Sequence, residues 1–221
     1  MTEKPLASRS CVALLSLAAS VSQLACSADQ AATWATVRYA VTPGATPDGR
    51  PLSDGLSYLR LTVNGVPAIV ALGYVDRDPF GRPVHVWYSS AGEVMRTQAG
   101  RLVGLVGTPV EWRQVALAQD TPEWAEIAQP TSFRRTLDVS PGYQWGLQHD
   151  LTVQPAPAPA DTALSHLAPE QLRWFAEHEQ HSRALPARYA MSSSTGQVVY
   201  GEQCLAPTFC LTWQTWPPTQ P

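Results

Sequence analysis

The sequence has almost no lysine and few charges of either sign. Its 221 residues include one lysine, Lys4, so every later cation is an arginine. Charged residues make up 15% of the chain, against roughly 25% in typical soluble domains. The formal net charge is -3, and the adjacent pair Arg134-Arg135 would point to opposite faces of a strand. No polyanion-binding patch is formed, and we expect no nucleic-acid partner.

The sequence also lacks the usual signatures of catalysis. It contains no G-x-S-x-G and no G-x-G-x-x-G motif. Asp76 and Asp78 lie in a Pro/Gly loop, where acidic pairs are more often solvated than bound to a cation. His178 and His181 have the spacing of two metal ligands if their segment is helical, but no third ligand is indicated. We therefore expect no catalytic residue, no metal and no cofactor, and the prediction is that the protein is not an enzyme.

The N-terminus has the pattern of an export signal. Residues 1–25 begin with Lys4 and Arg9 and continue as a short apolar, small-residue stretch. That stretch is too short to span a membrane as a helix, and it is typical of a signal peptide.

Cys26 follows this segment and is the predicted lipid anchor. A small residue before a cysteine resembles the bacterial lipoprotein cleavage site, at which the thiol is acylated. Cleavage by ordinary signal peptidase stays open as the alternative, because Gln23 stands where the lipoprotein site usually has Leu. The anchor is favoured, since Cys26 would otherwise be an unpaired thiol in an oxidising compartment. Ser27 is not the Asp that commonly retains lipoproteins in the inner membrane, so the outer membrane is the expected location.

Two cysteines remain, Cys204 and Cys210, six residues apart. In an exported protein, a local disulfide across a Pro-containing turn is the natural interpretation. Two cysteines cannot complete a structural zinc site, which needs four ligands. A redox pair usually has two intervening residues, whereas this pair has five. The spacing therefore favours a structural disulfide.

Alternating apolar residues predict a mainly β domain over residues 58–216. Asn64-Gly65 indicates a hairpin, residues 84–106 read as an antiparallel meander curved into a sheet, and a further hairpin is centred on Thr195-Gly196. Residues 26–57 are predicted to hold a short helix, at 31–39, and a linker. Residues 217–221 form a C-terminal tail. The segment 169–181 fits a helix and a strand equally well.

Seven of the eight tryptophans are spread through the predicted sheet. Exposed indole faces can stack on sugar rings, whereas in a chain of this size large aromatics usually anchor the core. Both interpretations stay open. The candidates for glycan contact are Trp87, Trp112 and Trp145.

Several segments together resemble the YjbF/GfcB-type exopolysaccharide and capsule lipoproteins. They include "YLRLTVNGVPAIVALGYVD", "SPGYQWG", "LPARYAM", "GQVVYGEQCLAP" and "LTWQTW", and the best match is "WYSSAGEVMRTQAGRLV". The resemblance covers most of the chain from Tyr58 to Trp216. It implies a largely β fold, an open half-barrel like those of lipoprotein carriers or a sandwich, with no established catalytic residues.

The resemblance also implies a function. It indicates an outer-membrane lipoprotein that faces the periplasm and assists production or export of a surface polysaccharide. Its expected partners are the outer membrane, through the N-terminal lipid, and a polysaccharide or proteins of the export machinery. The alternative is a carrier of lipid or acyl chains in a half-barrel cavity.

Overall fold

The computed structural model describes residues 52–182 and 184–218, and these form a twelve-stranded antiparallel sheet. The predicted lipid anchor Cys26 and the predicted helix at 31–39 lie outside the described residues. The strands are β1 (Tyr58–Val63), β2 (Val66–Arg77), β3 (Pro83–Tyr88), β4 (Val94–Gln98), β5 (Arg101–Val106), β6 (Glu111–Leu117), β7 (Thr131–Ser140), β8 (Gln144–Ala156), β9 (Leu172–Glu179), β10 (Ala187–Ser192), β11 (Val198–Ala206) and β12 (Phe209–Trp216).

The sheet closes into a barrel. Each strand pairs with its neighbour in sequence, and β1 also pairs antiparallel with β12 over six residues, from Tyr58 opposite Trp216 to Val63 opposite Leu211. The prediction of an open half-barrel or sandwich is therefore wrong, although the mainly β, antiparallel class is confirmed. Closure removes the two free edges that an open sheet would present.

The hairpin predicted at Asn64-Gly65 is formed, and its local sequence explains why. Asn64 and Gly65 both have positive φ, 47° and 84°, which is the backbone of a tight turn between β1 and β2. The ambiguous segment is a strand, because β9 runs from Leu172 to Glu179 after a 3-10 turn at Pro169–Gln171. No strand was predicted at β6 or β12.

Two chain segments cover part of the outside of the barrel. Leu52 and Leu56 pack with Tyr58 and Trp216 on the outer face. On the neighbouring strands, Leu164 packs against an outer-face cluster whose members are Leu172, Trp174, Ala190 and Tyr200. These covers explain why both faces of β12 are buried.

The second segment is also fixed by a pair of hydrogen bonds. The Ser165 amide donates to Oε1 of Gln214 at 2.8 Å, and the amide of the Gln214 side chain donates back to the Ser165 carbonyl at 2.7 Å. The connection 157–168, which begins with the Pro-rich residues 157–159, therefore forms a strap on the outside of the barrel, because its Ser165 is attached to β12.

The barrel interior is filled by unusually large side chains. A barrel of eight strands is just wide enough for side chains to fill, so twelve strands enclose a wider space. Buried aromatic residues supply the volume: Trp112, Trp124, Phe133, Phe175, Tyr189, Phe209 and Trp213. At Gly201 on β11 a Cβ would overlap the indole of Trp213, the cross-strand neighbour on β12.

We expect Gly201→Ala to lower the free energy of unfolding by about 1–3 kcal/mol, the usual cost of overpacking. Trp213 cannot move away without disturbing the core around it. The control is Gly104→Ala, whose Cβ would meet the flexible Arg96 side chain at 3.2 Å, so that the neighbour can yield. Urea unfolding followed by tryptophan fluorescence measures both. Equal midpoints for the two variants would contradict the packing argument.

Candidate binding site

One end of the barrel, which we call the mouth end, holds a half-open cavity of about 580 Å³. β1 begins and β12 ends at this end. Five connections between strands also lie there: 78–82, 99–100, 118–130, 157–171 and 193–197. Ligand sites typically measure about 300–1,000 Å³, so the cavity is large enough for a small molecule or a short piece of a polymer.

Alternation along the strands places the cavity wall. Leu59 of β1, Leu72 of β2 and Val198 of β11 contribute apolar side chains to it, together with the inward-facing Trp87 and Trp213. Trp216, which lies on the outer face beside Leu56 and Tyr58, lines its rim. The wall is therefore largely aromatic and aliphatic.

Trp124 lies between the cavity and the core. It stands on a 3-10 turn, Trp124–Glu126, in the long connection between β6 and β7. It lines the cavity and also contacts the rings of Phe175 and Tyr189, with centroid distances of 5.1 and 4.8 Å. Its indole N–H donates to the Ala99 carbonyl at 2.6 Å. A side chain from a loop thus closes the inner side of the cavity.

The indole N–H groups of the inward-facing cavity tryptophans are already engaged by the protein. Trp87 donates to Oγ1 of Thr97 at 2.9 Å, and Trp213 donates to the carbonyl of Gly100 at 3.1 Å. Trp87 and Trp213 are 8% and 3% exposed, so each presents a small apolar area of its ring to the cavity and not its donor. Such surfaces suit the C–H faces of a sugar ring or an alkyl chain.

Polar groups stand among the aromatics. His85 stacks on Trp87 with a centroid distance of 6.0 Å, and Thr97, Gln197 and Thr215 also line the cavity. Burial lowers the pKa of His85 below 6.5, so its ring is neutral at pH 7. The neutral ring has one donor and one acceptor nitrogen. The site can therefore exchange hydrogen bonds with hydroxyl groups.

A buried ion pair lies behind Trp124, on the core side of the cavity. Nε of Arg101 lies 3.0 Å from Oε2 of Glu177, and both side chains are only 3% exposed. The Arg101 guanidinium also lies 3.7 Å from the centroid of the Trp124 ring. Arg135 approaches the same carboxylate at 3.9 Å and covers the ring of Trp112. Carboxylate and aromatic faces together compensate the buried cations and hold Trp124 in place.

The structure separates the three tryptophans predicted to contact glycan. Trp87 lines the cavity, Trp112 is 4% exposed within the core, and Trp145 is 60% exposed on β8 at the other end of the barrel. Glycan contact by these residues stays a prediction. Of the three, only Trp87 belongs to the cavity described here.

The Cys204–Cys210 disulfide is confirmed, and its cysteines face each other across β11 and β12. Arg134 and Arg135 point to opposite faces as expected, because Arg134 is exposed and pairs with Asp150 whereas Arg135 is buried.

Within residues 52–182 and 184–218, no group of three His, Cys, Asp or Glu side chains could hold a metal ion. His178 lies on β9 and His181 in the following turn, so the helical spacing that would have paired them is not formed. The same residues contain no helix with the length and apolarity needed to cross a membrane.

His85, Thr97, Trp124 and Gln197 were not singled out by the sequence pattern. A lone histidine or threonine on an alternating strand carries no signal of its own. Trp124 lies in a connection without periodicity, and its role arises only when that connection folds over the end of the barrel.

The fold and cavity define a class: a closed antiparallel barrel with an aromatic-lined cavity at the end where its chain enters and leaves. Residues 55–214 match the family described as group 4 capsule polysaccharide lipoprotein gfcB, YjbF. The chain therefore belongs to the YjbF family of capsule polysaccharide lipoproteins, as its motifs predicted.

A solved structure has a similar fold. It is that of the hypothetical lipoprotein YmcC from Escherichia coli (K12), with 18% identity and a TM-score of 0.57. The similarity covers 75% of this chain and 85% of that one. No curated protein matches the chain in sequence.

The rim of the mouth end depends on one carboxylate. Asp78 accepts hydrogen bonds from Nε of Arg82 at 2.6 Å and from the Gln98 side chain at 2.8 Å. Arg82 in turn donates to the carbonyls of Leu117 and Ala118. Burial alone would raise the pKa of Asp78, but the hydrogen bonds from Gln98, Arg82 and Phe80 outweigh it and lower the pKa to about 2. Asp78 is therefore hydrogen-bonded, whereas the sequence predicted solvated acids in this loop. Asp76 lies at the end of β2, is 45% exposed and pairs with Arg96.

We expect Asp78→Asn to destabilise the protein at pH 7 and to have little effect near pH 2. The folded-state pKa lies below the unfolded value of 3.8, so the carboxylate stabilises the fold above about pH 4. That contribution is lost as the pH falls from about 4 through 2. Urea midpoints across this range measure it. Asp120→Asn, an exposed carboxylate on the 118–130 connection, is the control, and a pH-independent loss in Asp78→Asn would contradict the assignment.

Proposed function

We propose that this protein is an outer-membrane lipoprotein, anchored through Cys26 and facing the periplasm, which assists production or export of a surface polysaccharide without catalysing a reaction. It does so by binding a short segment of the polymer in the mouth-end cavity. The observation that carries the proposal is a half-open, aromatic-lined cavity in a member of a capsule polysaccharide lipoprotein family.

The composition of the cavity wall supports a saccharide ligand. Sugar rings combine apolar C–H faces with hydroxyl groups around their edge. The ring surfaces of Trp87 and Trp213 match the first feature, and the side chains of Thr97, Gln197 and His85 match the second. Small-molecule sites usually have a mainly apolar and aromatic wall that contains a small number of polar groups.

The alternative ligand, an acyl chain, is less well supported by the same wall. An acyl carrier needs a deep apolar cavity, because an alkyl chain leaves polar groups around it without partners. Here the cavity is closed by Trp124, with the Arg101–Glu177 ion pair behind that ring. Polar side chains also stand along the wall itself. These features favour saccharide over acyl chain.

The anchoring and the export role are tested together in a deletion strain. We expect surface polysaccharide to be lost in the deletion, restored by the wild-type gene, and not restored by Cys26→Ser. The control is Cys11→Ser, which changes a cysteine of the leader and is expected to behave as wild type. Polymer output and protein level by immunoblot are measured in each strain. Unchanged polymer in the deletion would rule out the export role, and full restoration by Cys26→Ser would rule out the anchor.

The cavity is tested by filling its entrance. Gln197 is exposed on the turn between β10 and β11 and lines the cavity. We expect Gln197→Trp to weaken oligosaccharide binding by at least about tenfold, because the added ring occupies the ligand's space. Ser193→Trp, on the same turn but outside the cavity lining, is the matched control. Calorimetric titration of both variants measures the effect, and equal affinities would place any binding elsewhere.

A further inference from the structure

The charge around the cavity is one-sided. Glu123 is the sole carboxylate among the described residues that line it, and no lysine or arginine is found among them. Glu123 is exposed and occupies the N-cap position of the 3-10 turn that carries Trp124, without a capping hydrogen bond from its side chain. The carboxylate therefore stands at the mouth, where an entering ligand passes it.

No arginine contributes a side chain to the described lining of the cavity. Arg101 lies over the ring of Trp124 and shares the Glu177 carboxylate with Arg135, so both guanidinium groups are buried in the core behind that ring. The Arg60 guanidinium lies 5.8 Å from the ring centroid of Trp216, and its side chain is not part of the cavity lining. The neutral ring of His85 adds no positive charge at pH 7.

A sugar carboxylate or phosphate would therefore lose solvation in this cavity without gaining a cationic partner, and it would also pass close to Glu123. Leaving a charge buried without compensation is costly, and like charges across an interface are strongly unfavourable. Hydroxyl groups meet neither penalty. An amino group on the sugar would gain from the carboxylate.

From these charges we infer that the cavity selects uncharged or amino-bearing sugar units and rejects uronic-acid or phosphorylated ones, with Glu123 as a residue that determines this specificity. This inference rests on the proposed function, since it names the class of saccharide that the same cavity takes. If the polymer contains acidic sugar units, the cavity therefore binds the uncharged units that lie between two acidic ones.

The test uses the purified full chain and trisaccharides of matched geometry: glucose with glucuronic acid, galactose with galacturonic acid, and glucosamine. Titration calorimetry at pH 7 and low salt measures each affinity. We expect the acidic member of each pair to bind at least about tenfold more weakly than the neutral one. Glucosamine oligomers should bind at least as well as glucose oligomers.

The variant Glu123→Gln is expected to strengthen binding of the acidic trisaccharides by about fivefold, since one repulsive contact is removed. It should weaken binding of the glucosamine probe and leave the neutral probes unchanged. Glu126→Gln is the matched control, because Glu126 is an exposed carboxylate on the same turn that does not line the cavity. It should behave as wild type with every probe.

The possible outcomes distinguish failure of saccharide binding from failure of the charge selectivity. If no trisaccharide binds, the proposed saccharide function fails and the inference fails with it. If acidic and neutral probes bind equally, the saccharide function stands and the charge selectivity is overturned. If Glu126→Gln has the same effect as Glu123→Gln, the selectivity comes from the overall charge of the molecule, and the role of Glu123 is overturned.

Discussion

Closure of the barrel through β1 and β12 is the constraint on which the rest of the structure depends. Six residue pairs join the first and last strands, so twelve strands enclose one interior. Aliphatic side chains fill that interior together with eight buried aromatic ones. Towards the mouth end the filling stops at Trp124, and the remaining volume is the cavity.

The support of Trp124 links the core to the site. A loop residue would ordinarily be mobile, but this ring is held by a carbonyl, two aromatic neighbours and the Arg101 guanidinium. Arg101 is itself fixed by Glu177, and the pair is almost fully buried. Breaking such a pair from one side leaves an uncompensated charge, so it is costly to disturb. The wall of the cavity is consequently rigid where it faces the core, whereas its entrance carries exposed side chains such as Glu123 and Gln197.

A disulfide stabilises one part of the barrel. The disulfide between Cys204 and Cys210 closes the hairpin of β11 and β12, which belongs to the seam of the barrel. The described chain begins at the mouth end, since Leu52 and Leu56 pack beside the start of β1.

The sequence by itself determined the local features: the hairpin at Asn64-Gly65, the alternation of the meander, the opposite faces of Arg134 and Arg135, the disulfide and the family. Each depends on neighbours close in the chain or on a motif. Only the tertiary structure decided closure, because the pairing of β1 with β12 joins residues about 150 positions apart. It also decided that Trp112 is buried, that Trp145 is exposed, and that Trp124 from a long connection closes the cavity. An alternating pattern shows that one face of a strand is apolar, but burial of a given ring depends on what folds over it.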